Sequence, residues 1–351
     1  MPSVITKFKQ QLNFRDHRIH TLPILMLMPH SRCNCRCVMC DIWKANKNKQ
    51  ELSESDIRKH LGSFRKLGVR QVVLSGGEAL MHSNLWKLCR LLKELPARIT
   101  LISTGLLLER YRADILTLCD EVIVSMDGSR KIHDRIRNIP NAFDRLAQGV
   151  TALKEAERTF PVSGRSVLQK LNFRDLPNII EAAKSLRLDR ISFLAADVTS
   201  GAFNRAQPWT EEKTAEIALT EEEVREFREL IETVIAARRA DFAGGFIAES
   251  PGKIRDIGRY YGAIAGLNDF PPHDCNAPYV SAVLEADGAV RPCFFHAPLG
   301  NIFQNGFDGV LNSASAVQFR QKLDVKTDAI CRRCTCFLNL RVNPLDKFWR
   351  K

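Results

Sequence analysis

An α/β fold is predicted: an open, parallel (β/α)6 partial TIM barrel followed by a small cysteine-rich C-terminal module. Three observations carry this expectation. Short apolar runs alternate with amphipathic helical stretches from about residue 21 to residue 240. Six such units favour a parallel sheet covered by outer helices, with right-handed connections that curl it towards a barrel. A full eight-unit barrel needs about 250 residues, and the roughly 220 here suit an open six-stranded one. After about residue 245 the alternation gives way to closely spaced glycines, Pro271-Pro272 and five further cysteines. The boundaries expected are an N-terminal extension over 1–20, a core over 21–240 and a metal-rich module over 245–351.

Taken in order, residues 21–28 read as the first strand. Ser53 is a good N-cap, with Asp56 three residues on; Ile57, Leu61, Phe64 and Leu67 follow at helical spacing, and Gly68 stops the helix. Residues 71–74 are the second strand, 85–95 a helix ended by Pro96, 98–102 the third strand and 107–118 a helix. Residues 121–125 form the fourth strand, followed by a helix near 142–157. Residues 162–168 form the fifth strand, 176–186 a helix and 190–194 the sixth strand. A long amphipathic helix covers roughly 221–240, and the acidic stretch from Glu211 to Glu223 marks an exposed helix start with its approach loop.

The chain has 351 residues, an apolar fraction of 45% and a formal net charge of +12. Its basic residues are scattered, without an arginine run interleaved with aromatics, so a solvated surface and a pocket for anionic groups are expected rather than nucleic acid binding. No apolar run approaches the ~20 residues of a membrane span, and residues 1–20 do not read as an export signal. Eleven cysteines then argue for thiolate metal sites in a reducing, cytoplasmic compartment.

Cys33, Cys37 and Cys40 stand in a C-x3-C-x2-C spacing within one short loop. A four-iron cluster takes four thiolates, so three leave one iron open, and an open position on a metal is where a substrate or cosubstrate binds. A zinc knuckle would pair C-x2-C with a second pair close by, and none follows here. Residues 29–43 resemble the signature loop of radical S-adenosylmethionine (radical SAM) enzymes. The resemblance implies a 4Fe–4S cluster held by Cys33, Cys37 and Cys40, with S-adenosylmethionine chelated on its open iron. It implies reductive cleavage of the sulfonium to a 5′-deoxyadenosyl radical, which takes a hydrogen atom from the substrate.

Active sites of parallel barrels lie at the carboxyl ends of the strands. The second strand ends in Ser75-Gly76-Gly77-Glu78, where glycines permit close backbone approach and Glu78 can accept from an ammonium. This resembles the family's GGE motif, which holds the methionyl amino group. Ser103-Thr104-Gly105 stands where relatives often carry Thr-Asn-Gly, giving Ser103 either a cosubstrate role or that of a turn hydroxyl. Val124-Ser125-Met126-Asp127-Gly128, followed by His133-Asp134 and Arg137, resembles the V-S-x-D-G…H-D-x-x-R segment of relatives with C-terminal auxiliary clusters. By that resemblance Ser125 faces the ribose and Asp127 the substrate; Arg137 clamps a carboxylate or forms a surface salt bridge. Met39 takes the place of an aromatic near the adenine. Asp197, just past the sixth strand, is a candidate substrate ligand or proton-transfer group, or else a turn aspartate. Arg165 reaches the cosubstrate carboxylate if its side chain points inward.

Cys275 is followed by twelve residues, Gly288, four residues and Cys293, with Cys331-x2-Cys334 later. The arrangement resembles the twitch domain, the shortened relative of the SPASM domain. Four thiolates from Cys275, Cys293, Cys331 and Cys334 would saturate one auxiliary 4Fe–4S cluster, with a four-cysteine zinc site as the alternative and Cys336 as a spare. Cys35 is read as a bystander, and Cys89 and Cys119 as core residues. The expected substrate is a small metabolite, sugar or lipid-linked intermediate, and the expected reductant a flavodoxin or ferredoxin. A peptide-modifying maturase is the alternative within the family. A non-catalytic iron–sulfur electron carrier or scaffold is the alternative outside it.

Overall fold

The computed structural model describes residues 4–205 and 207–340. Six parallel strands, β1 (Ile24–Leu27), β2 (Gln71–Leu74), β3 (Arg98–Ser103), β4 (Glu121–Ser125), β5 (Val162–Leu168) and β6 (Arg190–Ala195), lie side by side in chain order. The sheet does not stop at β1. Strand β7 (Ser281–Leu284) pairs parallel to it, followed by the antiparallel β8 (Ala289–Arg291) and β9 (Gly300–Asn301). The C-terminal module therefore continues the barrel sheet at one edge while β6 stands at the other. This is the open parallel barrel with a cysteine-rich appendix that the alternation implied.

The helices before the C-terminal module are α1 (Val4–Asp16), α2 (Glu54–Lys66), α3 (Leu85–Leu92), α4 (Arg112–Leu118), α5 (Arg130–Arg137), α6 (Ala142–Ala156), α7 (Leu176–Ser185), α8 (Glu211–Ile217), α9 (Glu221–Ala237), α10 (Arg239–Ala243) and α11 (Pro251–Ile264); the module adds α12 (Ala277–Val280), α13 (Ile302–Asn305), α14 (Phe307–Leu311) and α15 (Ala314–Lys322). Their starts follow the caps: Ser53 and Asp56 form a reciprocal capping box, as do Thr220 and Glu223. The acidic stretch holds two helix starts rather than one, since Thr210 caps α8 as well. The helix expected over 107–118 begins only at Arg112, because Gly105 at φ +89 and hydrogen bonds such as Leu108 N–H to Gly105 O hold 105–111 as turns.

One apolar core runs between sheet and helices, built from Leu25, Leu27, Val72, Leu74, Ile99, Leu101, Val122, Val124, Val162, Leu168 and Ile191, with Phe64, Phe173 and Phe227 from the helical layer. Cys89 and Cys119 lie in it. Ile247 bridges to Ile191, and α11 packs on α9 and β6, so the edge strand is covered. Helix α1 docks onto the C-terminal module: the Asn13 amide donates to Thr21 O and Tyr279 O, Phe14 stacks on Tyr279 at 4.7 Å, and buried Arg320 donates to His17 O at 2.6 Å. Among the described residues no helix is long and apolar enough to cross a membrane.

Candidate active site and cluster-binding loops

The cysteine loop after β1 is fixed by backbone hydrogen bonds from its surroundings. Asn46 closes a reciprocal pair with the Cys33 backbone, accepting from its N–H and donating to its C=O at 2.9 Å. The last carbonyls of α5 accept from the loop: Arg36 N–H donates to Arg137 O at 3.1 Å and Val38 N–H to Ile136 O at 3.0 Å. Those carbonyls have no partner within their own helix, so the loop completes the helix end. Cys37 lies in a buried cluster with Cys35 and Met39, and the partly buried Cys33 and Cys40 pack against it.

These thiols suit a metal cluster. All eleven cysteines are unpaired by disulfide. The Cys35 N–H points at the Cys33 sulfur and the Ile42 N–H at that of Cys40. Burial, and then the neighbouring Cys37, push the Cys33 thiol up and bring Cys40 to about 12. A hydrogen bond from Cys35, then the Arg137 guanidinium, hold Cys37 down to about 7 against burial. Thiols crowded in such a site gain from a cation that compensates the charge of their ionised forms, which is what iron does on ligation. Arg32 Nε, Asn34 Nδ2 and Trp43 Nε1 are buried donors near this loop with no protein partner. Such donors need acceptors, and cluster sulfides or a polar cosubstrate would supply them.

The turn after β2 lies against this loop. Gly76 adopts φ +107, and a Cβ on Gly77 would fall 2.1 Å from the Arg32 carbonyl oxygen. The glycines are thus needed first for backbone contact between the two loops. Glu78 is fully buried; its carboxylate accepts from Thr104 N–H at 2.7 Å, from the Ser103 hydroxyl at 3.1 and 3.2 Å, and from Leu80 N–H at 3.2 Å. Burial pushes its carboxyl up in spite of these donors, and a nearby ammonium would bring it back towards its charged form. Ser103 therefore orients Glu78. Ser125 and Arg165 are register partners across β4 and β5, and Arg165 Nε donates to Ser192 Oγ at 3.2 Å.

Two expected roles are placed differently. Asp127 and Arg137 are both buried and form an ion pair with each other, and Arg137 Nη1 also donates to the Cys37 sulfur at 3.4 Å. The carboxylate that Arg137 grips is thus its own chain's. Asp197 is likewise buried, ion-paired to Arg205 at 3.0 Å, and accepts from the Ser200 hydroxyl at 2.5 Å.

Arg205 opens a feature that carries no sequence motif. Its Nη2 donates to Met39 O at 3.2 Å, and its guanidinium lies 3.6 Å from the Trp209 ring centroid. Trp209 Nε1 donates to Asp41 Oδ2 at 2.9 Å. The segment after β6 is therefore strapped over the cysteine loop, with Asp197 anchoring the arginine. Its only sequence signal is a basic and an aromatic residue four apart just past an acidic strand end.

The C-terminal cysteines also converge. Cys275, Cys293 and Cys336 each raise the thiol of Cys334, after burial and against the Cys336 N–H, and Cys293 is brought to about 11, chiefly by burial. N–H groups of Phe295 and His296 point at Cys293, and those of Ala277 and Leu338 at Cys275. His296 Nε2 lies 3.4 Å from the Cys331 sulfur, and Cys336 N–H donates to the Cys334 sulfur at 3.4 Å. Backbone donors aimed at thiols are the surroundings that sulfur-ligated clusters use. His296 was not foreseen, because it lies between the cysteine pairs rather than in their spacing.

A cavity of about 150 Å³ lies between the ends of β5 and β6, helix α11 and this module. Arg165, Phe193, Glu249, Lys253, Tyr260, His273, Arg332, Cys334, Cys336 and Phe337 line it. Arg165, Lys253 and Arg332 make no ion pair among the described residues; Lys253 lies 4.6 Å from the Phe337 ring, on which His273 stacks at 4.4 Å. Pro271, Pro272, His273 and Arg332 also line an adjoining surface groove of about 490 Å³.

Comparison with known proteins agrees with this geometry. The family model described as the radical SAM superfamily matches residues 27–183, and the one described as the SPASM iron–sulfur cluster-binding domain matches residues 275–335. The chain is 29% identical over 174 residues to the Fe-coproporphyrin III synthase of Methanosarcina barkeri, covering 49% of this chain and 43% of that protein. It is 29% identical over 176 residues to the PqqA peptide cyclase of Rhodopseudomonas palustris, covering 48% and 45%. It thus matches less than half the length of each of these relatives. In fold it is similar to Streptococcus suis SuiB bound to the precursor peptide SuiA, with a TM-score of 0.64 and 15% identity over 93% of this chain and 73% of that one. The three-thiolate loop, the Gly-Gly-Glu turn packed on it and the converging C-terminal thiols thus have their explanation: this chain carries a radical SAM domain over residues 27–183 and a SPASM iron–sulfur cluster-binding domain over residues 275–335, domains whose cofactors are S-adenosylmethionine and 4Fe–4S clusters.

Proposed function

We propose that the protein reductively cleaves S-adenosylmethionine and abstracts a hydrogen atom from a small anionic substrate, a phosphorylated or carboxylated metabolite, sugar or lipid-linked intermediate. The supporting observation is the cavity in which Lys253 and Arg332, without an ion pair among the described residues, lie with Glu249, Asp256 and two cysteines of the C-terminal module. Cys33, Cys37 and Cys40 would hold the cluster, which would supply the electron for cleavage of the sulfonium and so the radical chemistry that removes the substrate hydrogen. Glu78, oriented by Ser103 and Thr104, would hold the amino group of the cosubstrate, and Ser125 and Arg165 would meet it at the strand ends. Met39, buried beside the cysteines, would pack on its apolar part. Lys253 and Arg332 would orient the anionic group of the substrate, and Glu249 and the stacked His273–Phe337 pair would shape the cavity. Cys275, Cys293, Cys331 and Cys334 would hold one auxiliary 4Fe–4S cluster that assists electron transfer. A flavodoxin or ferredoxin fits as reductant, since the net charge of +12 favours an acidic donor, and a reducing compartment such as the cytoplasm fits the free thiols.

Anaerobic incubation with S-adenosylmethionine and dithionite is expected to release 5′-deoxyadenosine. Failure of reconstituted, iron-replete protein to do so would overturn the reading. Replacing Cys275 and Cys331 together by alanine should lower iron from about eight to about four per chain, while release of 5′-deoxyadenosine persists. Unchanged iron in that variant would rule out a thiolate-held auxiliary cluster. For the anionic substrate, the Lys253→Glu, Arg332→Glu double variant should weaken calorimetric binding of inorganic pyrophosphate by at least roughly tenfold, about 1.4 kcal/mol. Equal affinity would remove the anionic class.

A second reading, a peptide-modifying maturase, is favoured by the groove that adjoins the cavity and by the similarity to PqqA peptide cyclase. Stimulation of 5′-deoxyadenosine release by a peptide, and not by phosphorylated metabolites, would select it.

A further inference from the structure

The Asp127–Arg137 pair sits where no surface salt bridge belongs. Arg137 is only 6% exposed and Asp127 fully buried. Both are held from several sides. Val167 N–H donates to Asp127 Oδ1 at 2.8 Å, and Asp127 N–H donates to His133 Nδ1 at 3.1 Å. Arg137 closes the end of α5, whose last carbonyls accept from the cysteine loop. From that position its Nη1 meets the Cys37 sulfur at 3.4 Å, its Nη2 pairs with Asp127, and its Nε has no protein partner. His133, the other titratable side chain on this helix face, is held neutral by burial and then by Arg137, down to about 3. The order is therefore carboxylate, guanidinium, sulfur, in an interior that screens little.

We propose that Arg137 is a positioning residue for the cluster: it donates a hydrogen bond to the thiolate of Cys37, and with Asp127 it sets the reduction potential of the N-terminal cluster. This rests on Cys37 being a ligand of that cluster. Reduction adds one negative charge to the iron–sulfur unit. A guanidinium against a ligand sulfur stabilises that added charge and raises the potential, because charge and hydrogen bonds at the sulfurs are the levers that tune such clusters. The buried carboxylate behind it opposes part of this effect. The pair lets a cation stand in the interior without an uncompensated charge.

The two partners should therefore shift the potential in opposite directions. In reconstituted full-length protein, redox titration followed by electron paramagnetic resonance should find Arg137→Gln harder to reduce, by about tenfold in the one-electron equilibrium, which is 59 mV. Asp127→Asn should be easier to reduce, and Arg137→Lys should lie between wild type and Arg137→Gln. A purely structural pair would lower iron content in both variants without opposite shifts. Potentials within twofold of wild type, or shifts of one sign, in iron-replete variants overturn the proposal. The wild type supplies a reading that does not depend on the variants folding. With 15N-labelled arginine, the reduced cluster should show nitrogen modulation in pulsed resonance, and its absence also overturns the proposal. No cluster signal at all from the reduced wild type would instead sink the ligand assignment itself.

Discussion

Replacing Cys37 with alanine should abolish 5′-deoxyadenosine formation to background and remove the iron of the N-terminal cluster while leaving the auxiliary iron in place. Cys37 is the most constrained of the three thiols. It is 7% exposed, receives hydrogen bonds from the Cys35 thiol and from Arg137, and is the only one of the three brought below its ordinary value, to about 7. The other two are pushed up by burial and then by the charge of Cys37. Removal of Cys37 deletes one of the three ligands and leaves Arg137 facing a void beside Asp127. The contrast is Cys35→Ala. Cys35 is fully buried, lies outside the ligand spacing and serves Cys37 only by a hydrogen bond. That variant should retain the cluster and most of the 5′-deoxyadenosine yield. Equal loss of iron in the two variants would mean that ligand roles exchange within the loop; full yield from Cys37→Ala would refute the three-thiolate assignment.

What the sequence disclosed, and what it hid, separates by the range of the interaction. The strands were legible because apolar runs such as Ile24–Leu27 and Gln71–Leu74 are local signals bounded by turn residues. The cysteine loop was legible because a chelating loop imposes a fixed spacing on adjacent residues. The Arg205–Trp209 strap was not legible, since its targets, Met39 O and Asp41, lie about 165 positions earlier, and no periodicity encodes that meeting. Arg137 shows the same limit in another form. The segment from Val124 to Arg137 was recognisable as a unit, yet a pattern specifies which residues are present and not which atoms they face. Only packing α5 end-on against the cysteine loop reveals that its guanidinium meets a sulfur and that Asp127 stands behind it. The pairing of β7 with β1 was hidden as well, because a parallel partner more than 250 positions away leaves no trace in either strand's own residues.

Gly77→Ala is the substitution outside the cysteines expected to do most damage, and for a reason of backbone geometry rather than of ligand binding. A Cβ at this position would fall 2.1 Å from the Arg32 carbonyl oxygen, 2.6 Å from its carbon and 3.1 Å from the Cys33 nitrogen. All three are main-chain atoms, so no side chain can swing aside. The same contact carries a hydrogen bond, Glu78 N–H to Arg32 O at 2.9 Å, which locks the turn to the cysteine loop. One added methyl must push these segments apart, moving Cys33 away from its partners and Glu78 away from Ser103 and Thr104. A cost of about 3 kcal/mol is expected from overpacking of this kind. It should appear as a lowered thermal midpoint, loss of the N-terminal cluster's iron and loss of S-adenosylmethionine binding together. Gly62 supplies the control. It lies inside α2 with nothing within 4 Å of an added Cβ, and alanine there should stabilise the protein by up to about 1 kcal/mol through helix propensity alone. Because both changes add one methyl to a glycine, the difference between them isolates the contact between the two loops. A Gly77→Ala protein with wild-type midpoint and full iron would show that the loops can separate without disturbing the site, and the close backbone approach would lose its role in positioning Cys33.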